Sequence, residues 1–282
     1  MNVLKTAVLM ATLGGLLILI GWWFGGQAGA VVALGIALVI NLISYWSSDR
    51  IVLSLYRARE VSRDERPDLH GLVEELAARA GIPKPRVYMV PGNVPNAFAT
   101  GRDPHHSVVA VTEGILNLLD REELKGVLAH ELSHIRHRDV LIGTVAAAIA
   151  MAITFLASMI RWGALLGGFS RGRGRGGLEV LALAILAPLA AMFVQLAISR
   201  SREYAADEAG ARISGNPMGL ADALVKLENA NRRSGGIASP STAHMFTVHS
   251  VRRTLFGSLF STHPPVEERV RRLRGLAGFS AS

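Results

Sequence analysis

Leu128–Asp139 reads LAHELSHIRHRD, and within it His130-Glu131-Leu132-Ser133-His134 is an H-E-x-x-H pattern. On a helix, a spacing of four places both imidazoles on one face, one turn apart, where they can share a single Zn²⁺. Glu131 stands beside the first ligand and can reach a metal-bound water without itself coordinating. Zinc lowers the pKa of such a water from about 15.7 toward about 7. Glu131 then serves as general base and can pass the proton to a leaving amine. The chemistry implied is hydrolysis of a peptide bond.

A catalytic zinc needs a third protein ligand and one open position. The sequence has no cysteine, which excludes a thiolate ligand, a cysteine nucleophile and a disulfide framework. His137 follows three residues after His134 and falls a further turn along a straight helix, which suits an outer role or solvent. Glu203 is the better candidate. Asp207 lies four residues beyond it, so both carboxylates face one way; one can bind metal while the other orients a histidine. The bland alternative is a solvated acidic face paired with Arg200 and Arg202, and without the H-E-x-x-H it would be preferred.

These residues need elements to hold them. Asp120 and Glu123 form a D-x-x-E start signal for a helix running to about Arg138, with Leu124, Val127 and Leu128 on its apolar face. Upstream, Leu69, Leu72, Val73, Leu76, Ala77 and Ala80 keep a helical period over 67–82, closed by Gly81 and then Pro83 and Pro85. Arg86–Val90 and Ser107–Thr112 are rich in β-branched residues and read as strands, with a possible third strand in PNAFATG between them. Helices are expected over 199–214 and 218–231, and an amphipathic one after Pro264-Pro265. Residues 232–261 read as a loop.

The remaining sequence is membrane-like. Half of the 282 residues are hydrophobic and 18% are charged, below the roughly 25% usual for soluble domains. The uncharged run from Thr6 to Phe24 ends in Trp22-Trp23. After Gly25-Gly26-Gln27, a second run extends from Ala28 to Trp46. Both suit spans of a bilayer about 30 Å thick. A cleaved signal peptide is the rival reading, but the second run begins where cleavage would fall, so an uncleaved hairpin is expected. Further apolar runs cover 140–160 and 178–198, the latter interrupted by Glu179, Pro188 and Gln195. The expected organisation is a transmembrane hairpin at 1–47, the first half of a catalytic domain at 48–139, a second apolar hairpin at 140–199 and the second catalytic half at 200–282. Both catalytic halves are loaded with Lys and Arg, which places them on the cytoplasmic side. Arg161, Arg171, Arg173 and Arg175 between the last two runs offend that rule, so those runs either cross fully with an exceptional loop or form a hairpin that does not. The net charge of +8 is assigned to the bilayer surface rather than to nucleic acid, because no nucleic-acid-binding motif accompanies it.

The combination of H-E-x-x-H-x-x-x-x-D (His130 to Asp139), Ser199-Arg200-Ser201-Arg202-Glu203-Tyr204-Ala205-Ala206-Asp207, Asn96-Ala97-Phe98-Ala99-Thr100-Gly101 and His263-Pro264-Pro265 with Arg269 resembles the HtpX-like family of membrane zinc metallopeptidases. That family is distantly similar to the CAAX prenyl endopeptidases, whose many-helix chamber this shorter chain lacks. The resemblance covers nearly the whole chain. It implies an α-helical membrane protein with an α+β zincin-like catalytic domain, mostly helical, with a small β-sheet next to the H-E-x-x-H helix. It further implies one Zn²⁺ held by His130, His134 and Glu203, with Glu131 as base and Asp207 behind the ligands. Asn96, on an edge strand, would hold substrate main chain, and His263 would stabilise the oxyanion; Arg269 would be structural. The expected function is a multi-pass inner-membrane endopeptidase that cleaves misfolded or damaged membrane proteins under stress. The alternatives are a CAAX-type processing peptidase and a non-catalytic membrane scaffold.

Overall fold

Residues Asn2–Leu55 form one helical element, α1, broken at Gly25 and Gly26. Gly26 adopts φ +57°, a left-handed conformation that costs glycine least. Beyond the break the chain folds back on itself. Asn41 Nδ2 donates to the Met10 carbonyl at 3.2 Å, and Gly21 and Gly29 approach too closely for either to carry a side chain. These contacts make the N-terminal segment an antiparallel hairpin. Its second arm, Gly25–Ser47, is 23 residues long, with a mean hydropathy of 2.1 over its apolar stretch, and is mostly exposed. Among the described residues this is the one helix long and apolar enough to cross a membrane. The first arm contributes the shorter apolar stretch Met10–Leu19.

This computed structural model describes residues 2–142, 200–233 and 264–279. Nearly all of the two later apolar runs, the arginine-bearing loop between them, His263 and most of the 232–261 loop lie outside the described residues.

A four-stranded mixed sheet follows α1: β1 (Arg59–Glu60), β2 (Arg86–Val90), β3 (Ala97–Gly101) and β4 (Ser107–Thr112), in the order β1-β2-β4-β3. β2 and β4 run parallel, and β3 pairs antiparallel with β4, Ala99 facing Val109. Every residue of β4 is buried because both sheet faces are covered. Val109 and Val111 join the main core under the helices, while Val108 and Ala110 pack with Val52, Leu53 and Phe98 at the end of α1. A continuous apolar run in place of alternation is what two covered faces require.

Helix α2 (Pro67–Ala80) starts with Pro67 in its first turn and stops at Gly81 in the left-handed region, the residue expected to close it. The two-residue β1 and the short helix α3 (Glu113–Leu118) are additions to the sequence reading, both too short for periodicity to reveal. Helix α4 (Arg121–Arg136) opens with the anticipated capping box: Asp120 Oδ1 accepts from Glu123 N at 3.0 Å, and Glu123 Oε2 from Asp120 N at 2.9 Å. Such a cap contributes about 1 kcal/mol. Three further helices, numbered among the described residues, are α5 (Arg200–Ser214), α6 (Pro217–Arg233) and α7 (Val266–Phe279).

Helix α4 packs against both α5 and α6, and α7 closes over α5 and α6. Two parts of the chain separated by the later apolar runs thus share one core, centred on Leu128, Leu132, Leu220 and Leu224, each fully buried. The crossings are close because glycines stand at them. A Cβ on Gly126 would meet Leu220 N at 2.6 Å, and one on Gly210 would meet His130 Cα and N at 2.9 Å.

Candidate active site

Two turns of α4 and the first two turns of α5 build the site. His130 is 1% exposed, and Glu131 and Glu203 are also buried. The His130 and His134 rings stand at 89° with centroids 4.8 Å apart. Their Nε2 atoms face each other at 3.3 Å. Glu203 completes a triangle: its Oε2 lies 3.7 Å from His130 Nε2, and its Oε1 lies 3.6 Å from His134 Nε2. Two nitrogens bound to one tetrahedral zinc at about 2.0–2.1 Å stand about 3.3–3.4 Å apart. The three side chains therefore fit a small divalent cation, and among the described residues they form the one such group.

Each imidazole is backed by a carboxylate, and each carboxylate by an arginine. His130 Nδ1 is 3.0 Å from Asp207 Oδ1 in a buried contact. Asp207 in turn accepts from Arg269 Nε at 2.8 Å and Nη2 at 2.6 Å. Burial alone would raise the Asp207 pKa, but the guanidinium charge and its hydrogen bonds prevail and hold it well below the usual carboxylate range. The same pair drives Arg269 further above its ordinary value against its own burial. On the other side, His134 Nδ1 lies 3.5 Å from Asp139 Oδ2, and Arg202 Nη1 lies 3.7 Å from Asp139 Oδ1. Burial would lower the His134 pKa; the Asp139 hydrogen bond and the Glu203 and Glu131 charges outweigh it and push it up to about 9.

Glu131 is anchored from the sheet. Its Oε2 accepts from the Ala99 main-chain N–H at 3.1 Å. Because Asn96 O accepts from Thr112 N at 2.9 Å, alternation along β3 turns the Asn96, Phe98 and Thr100 main chain toward β4, and Ala97 and Ala99 the other way. Asn96 itself sits just before β3 and is 2% exposed, its N–H donating to Thr112 Oγ1 at 2.9 Å. Ser133, inside the H-E-x-x-H, donates to the His130 carbonyl at 2.8 Å and approaches the Ala206 carbonyl at 3.4 Å, which ties α4 to α5.

The structure thus brings His130, His134, Glu203, Glu131 and Asp207 together and places Asn96 beside the strand that contacts Glu131. His137 is the exposed C-cap of α4, outside the ligand triangle. Arg269, expected to be structural, and Arg202, weighed only as a partner of a solvated acidic face, prove to brace Asp207 and Asp139. The HPP-x-x-x-R spacing was visible, but no local pattern says that its arginine reaches Asp207.

Comparison with known proteins decides the family. The model of peptidase family M48 matches residues 63–277. The chain belongs to peptidase family M48. This M48 chain is 57% identical to a "Protease HtpX homolog" of Pyrococcus furiosus over 97% of its own length and 95% of the relative's. It is 58% identical to one of Pyrococcus abyssi, covering 97% and 96%, and 55% identical to one of Syntrophotalea carbinolica, covering 98% and 99%. It is a metalloendopeptidase. Its fold also resembles the crystal structure of S. mikatae Ste24p, with a TM-score of 0.54 at 19% identity. That match covers 96% of this chain but 65% of the Ste24p chain.

Proposed function

We propose that this M48 enzyme is a membrane-anchored zinc endopeptidase of the cytoplasmic face that removes misfolded or damaged membrane proteins. The observation that carries the metal assignment is the His130–His134–Glu203 triangle, whose edges of 3.3–3.7 Å suit zinc. It offers three protein donors among the described residues, as a catalytic site does, whereas a structural site is closed by four. Bound zinc would supply a Lewis acid that polarises a peptide carbonyl and makes water acidic.

The chain's own residues do the rest. His130 is oriented by Asp207, which Arg269 keeps ionised. Glu131, aligned by the Ala99 N–H, takes the proton of the attacking water and passes it to the leaving nitrogen. A substrate segment lying along β3 would be read through main-chain hydrogen bonds, as in strand addition; Asn96 would position its start, and His263 would face the oxyanion. The apolar hairpin and the basic catalytic halves support a substrate presented at the bilayer, and the multi-pass arrangement with both basic halves inside follows from their charge.

The test is Glu131→Gln in the purified full chain, with bound zinc and casein cleavage measured together. Zinc stays stoichiometric and cleavage falls by about 10²–10⁴; undiminished cleavage refutes the mechanism. Comparing a farnesylated peptide with its unlipidated twin separates this reading from CAAX-type processing, which demands preference for the lipid.

A further inference from the structure

Helix α4 ends on a left-handed residue that is not glycine. His137 caps it, and Arg138 follows with φ +57°, a conformation that glycine usually fills at this position. The Arg138 N–H donates to the Ile135 carbonyl at 3.1 Å, and the Asp139 N–H to the His134 carbonyl at 2.9 Å. This pair of reversed bonds is a Schellman turn. It folds the chain back so that Asp139 is bonded through its main chain to the residue whose ring its carboxylate faces, Oδ2 lying 3.5 Å from His134 Nδ1.

The other oxygen of Asp139 faces Arg202 Nη1 at 3.7 Å. Arg202 immediately precedes Glu203 on α5. With side-chain exposures of 11% and 15%, the two groups are sheltered from the water that would screen an open surface pair. Asp139 and Arg202 also mark where the chain leaves for, and returns from, residues 140–199. One ion pair therefore joins the end of the helix bearing His134 to the start of the helix bearing Glu203.

We propose that Asp139, braced by Arg202, is a positioning residue that fixes the His134 ring and the first turn of α5 as metal-binding partners, so that the clasp at the base of the 140–199 segment sets metal affinity. This rests on the assignment of His134 and Glu203 as metal ligands. A carboxylate behind a ligating imidazole fixes ring orientation and tautomer, and its loss typically weakens metal binding about 10–100-fold.

The test uses the full chain in detergent, with zinc affinity measured by chelator competition and the visible spectrum recorded after Co²⁺ substitution. Asp139→Asn binds zinc about 10–100-fold more weakly and shifts the Co²⁺ bands. Arg202→Gln loses less, and the double variant loses no more than Asp139→Asn alone, because both act through one clasp. Arg212→Gln, on the exposed pair with Glu208, leaves affinity unchanged. Should Asp139→Asn fail to fold, Arg202→Gln alone decides. Zinc affinity and Co²⁺ bands indistinguishable from wild type, with only the melting temperature of the metal-free protein altered, overturn the clasp; so does strict additivity. A wild-type chain that binds no zinc, or that keeps full affinity on His134→Gln, would instead overturn the metal assignment beneath it.

Discussion

Arg269 lies 62 residues beyond Asp207 in the chain and grips its carboxylate with two nitrogens, at 2.8 and 2.6 Å, in a fully buried contact. The pair joins α7 to α5 directly behind His130. A buried carboxylate without a counter-charge would take up a proton, and a protonated Asp207 would orient the imidazole less strongly. The arginine thus reaches the candidate metal site through two other side chains.

Removing that arginine therefore has a large cost. Arg269→Met leaves Asp207 buried without its counter-charge, which destabilises the fold by about 3–5 kcal/mol. Urea denaturation of the full chain in micelles measures it. Zinc affinity falls as well, because Asp207 no longer holds His130 in place. A loss under about 1 kcal/mol would show that water replaces the guanidinium and that the pair does not support the site.

Gly210 sets how closely α5 approaches α4. A Cβ there would stand 2.9 Å from both the Cα and N of His130, and backbone cannot move aside as a flexible side chain can. Gly210→Ala pushes the two helices apart at the ligand level and costs about 1–3 kcal/mol. Glu203 moves away from the imidazoles, so zinc affinity drops in parallel with stability. Equal zinc affinity in wild type and variant would show that the crossing has slack.

Metal binding should depend on pH in a defined direction. In the metal-free protein His134 is protonated up to about pH 9, and a ligand must be deprotonated. Zinc affinity, corrected for buffer and hydroxide, rises by about tenfold per pH unit between pH 7 and 9 and then levels as far as this residue is concerned. The stability of the metal-free fold moves the opposite way. A raised folded-state pKa gives stability that is complete below the unfolded value near 6.5 and is lost as pH climbs through about 9. Calorimetric titration in two buffers of different ionisation enthalpy counts the proton released; a value of zero at pH 7 contradicts the assignment.

Arg138 occupies the left-handed region at φ +57° without the freedom of glycine. Arg138→Gly relieves that strain and raises stability by about 0.5–1 kcal/mol, whereas Arg138→Val lowers it. Thermal melts of the metal-free chain distinguish the two. Stabilisation by valine would mean that the turn relaxes to another conformation.

Local features were legible before any tertiary contact was known. The i, i+4 spacing of His130 and His134 follows from helical pitch, the capping box from Asp120 and Glu123, and the chain reversal from Gly25-Gly26 between two uncharged runs. Each depends on residues a few positions apart, so one sequence window contains the whole cause. Glu203 and Asp207 were legible halfway: their spacing showed a shared helix face, but not what that face opposed. The partners of Asp207 and of Asp139 depend on how α4, α5 and α7 pack, and that is set by buried surfaces such as Leu128, Leu220 and Leu273 and by the close approaches at Gly126 and Gly210. Sequence thus determined which side chains could do zinc chemistry and which helices carry them. Tertiary structure alone decided the relay from Arg269 through Asp207 to His130, because interatomic distances between remote segments arise from the packing of the whole core and leave no periodic mark in the chain.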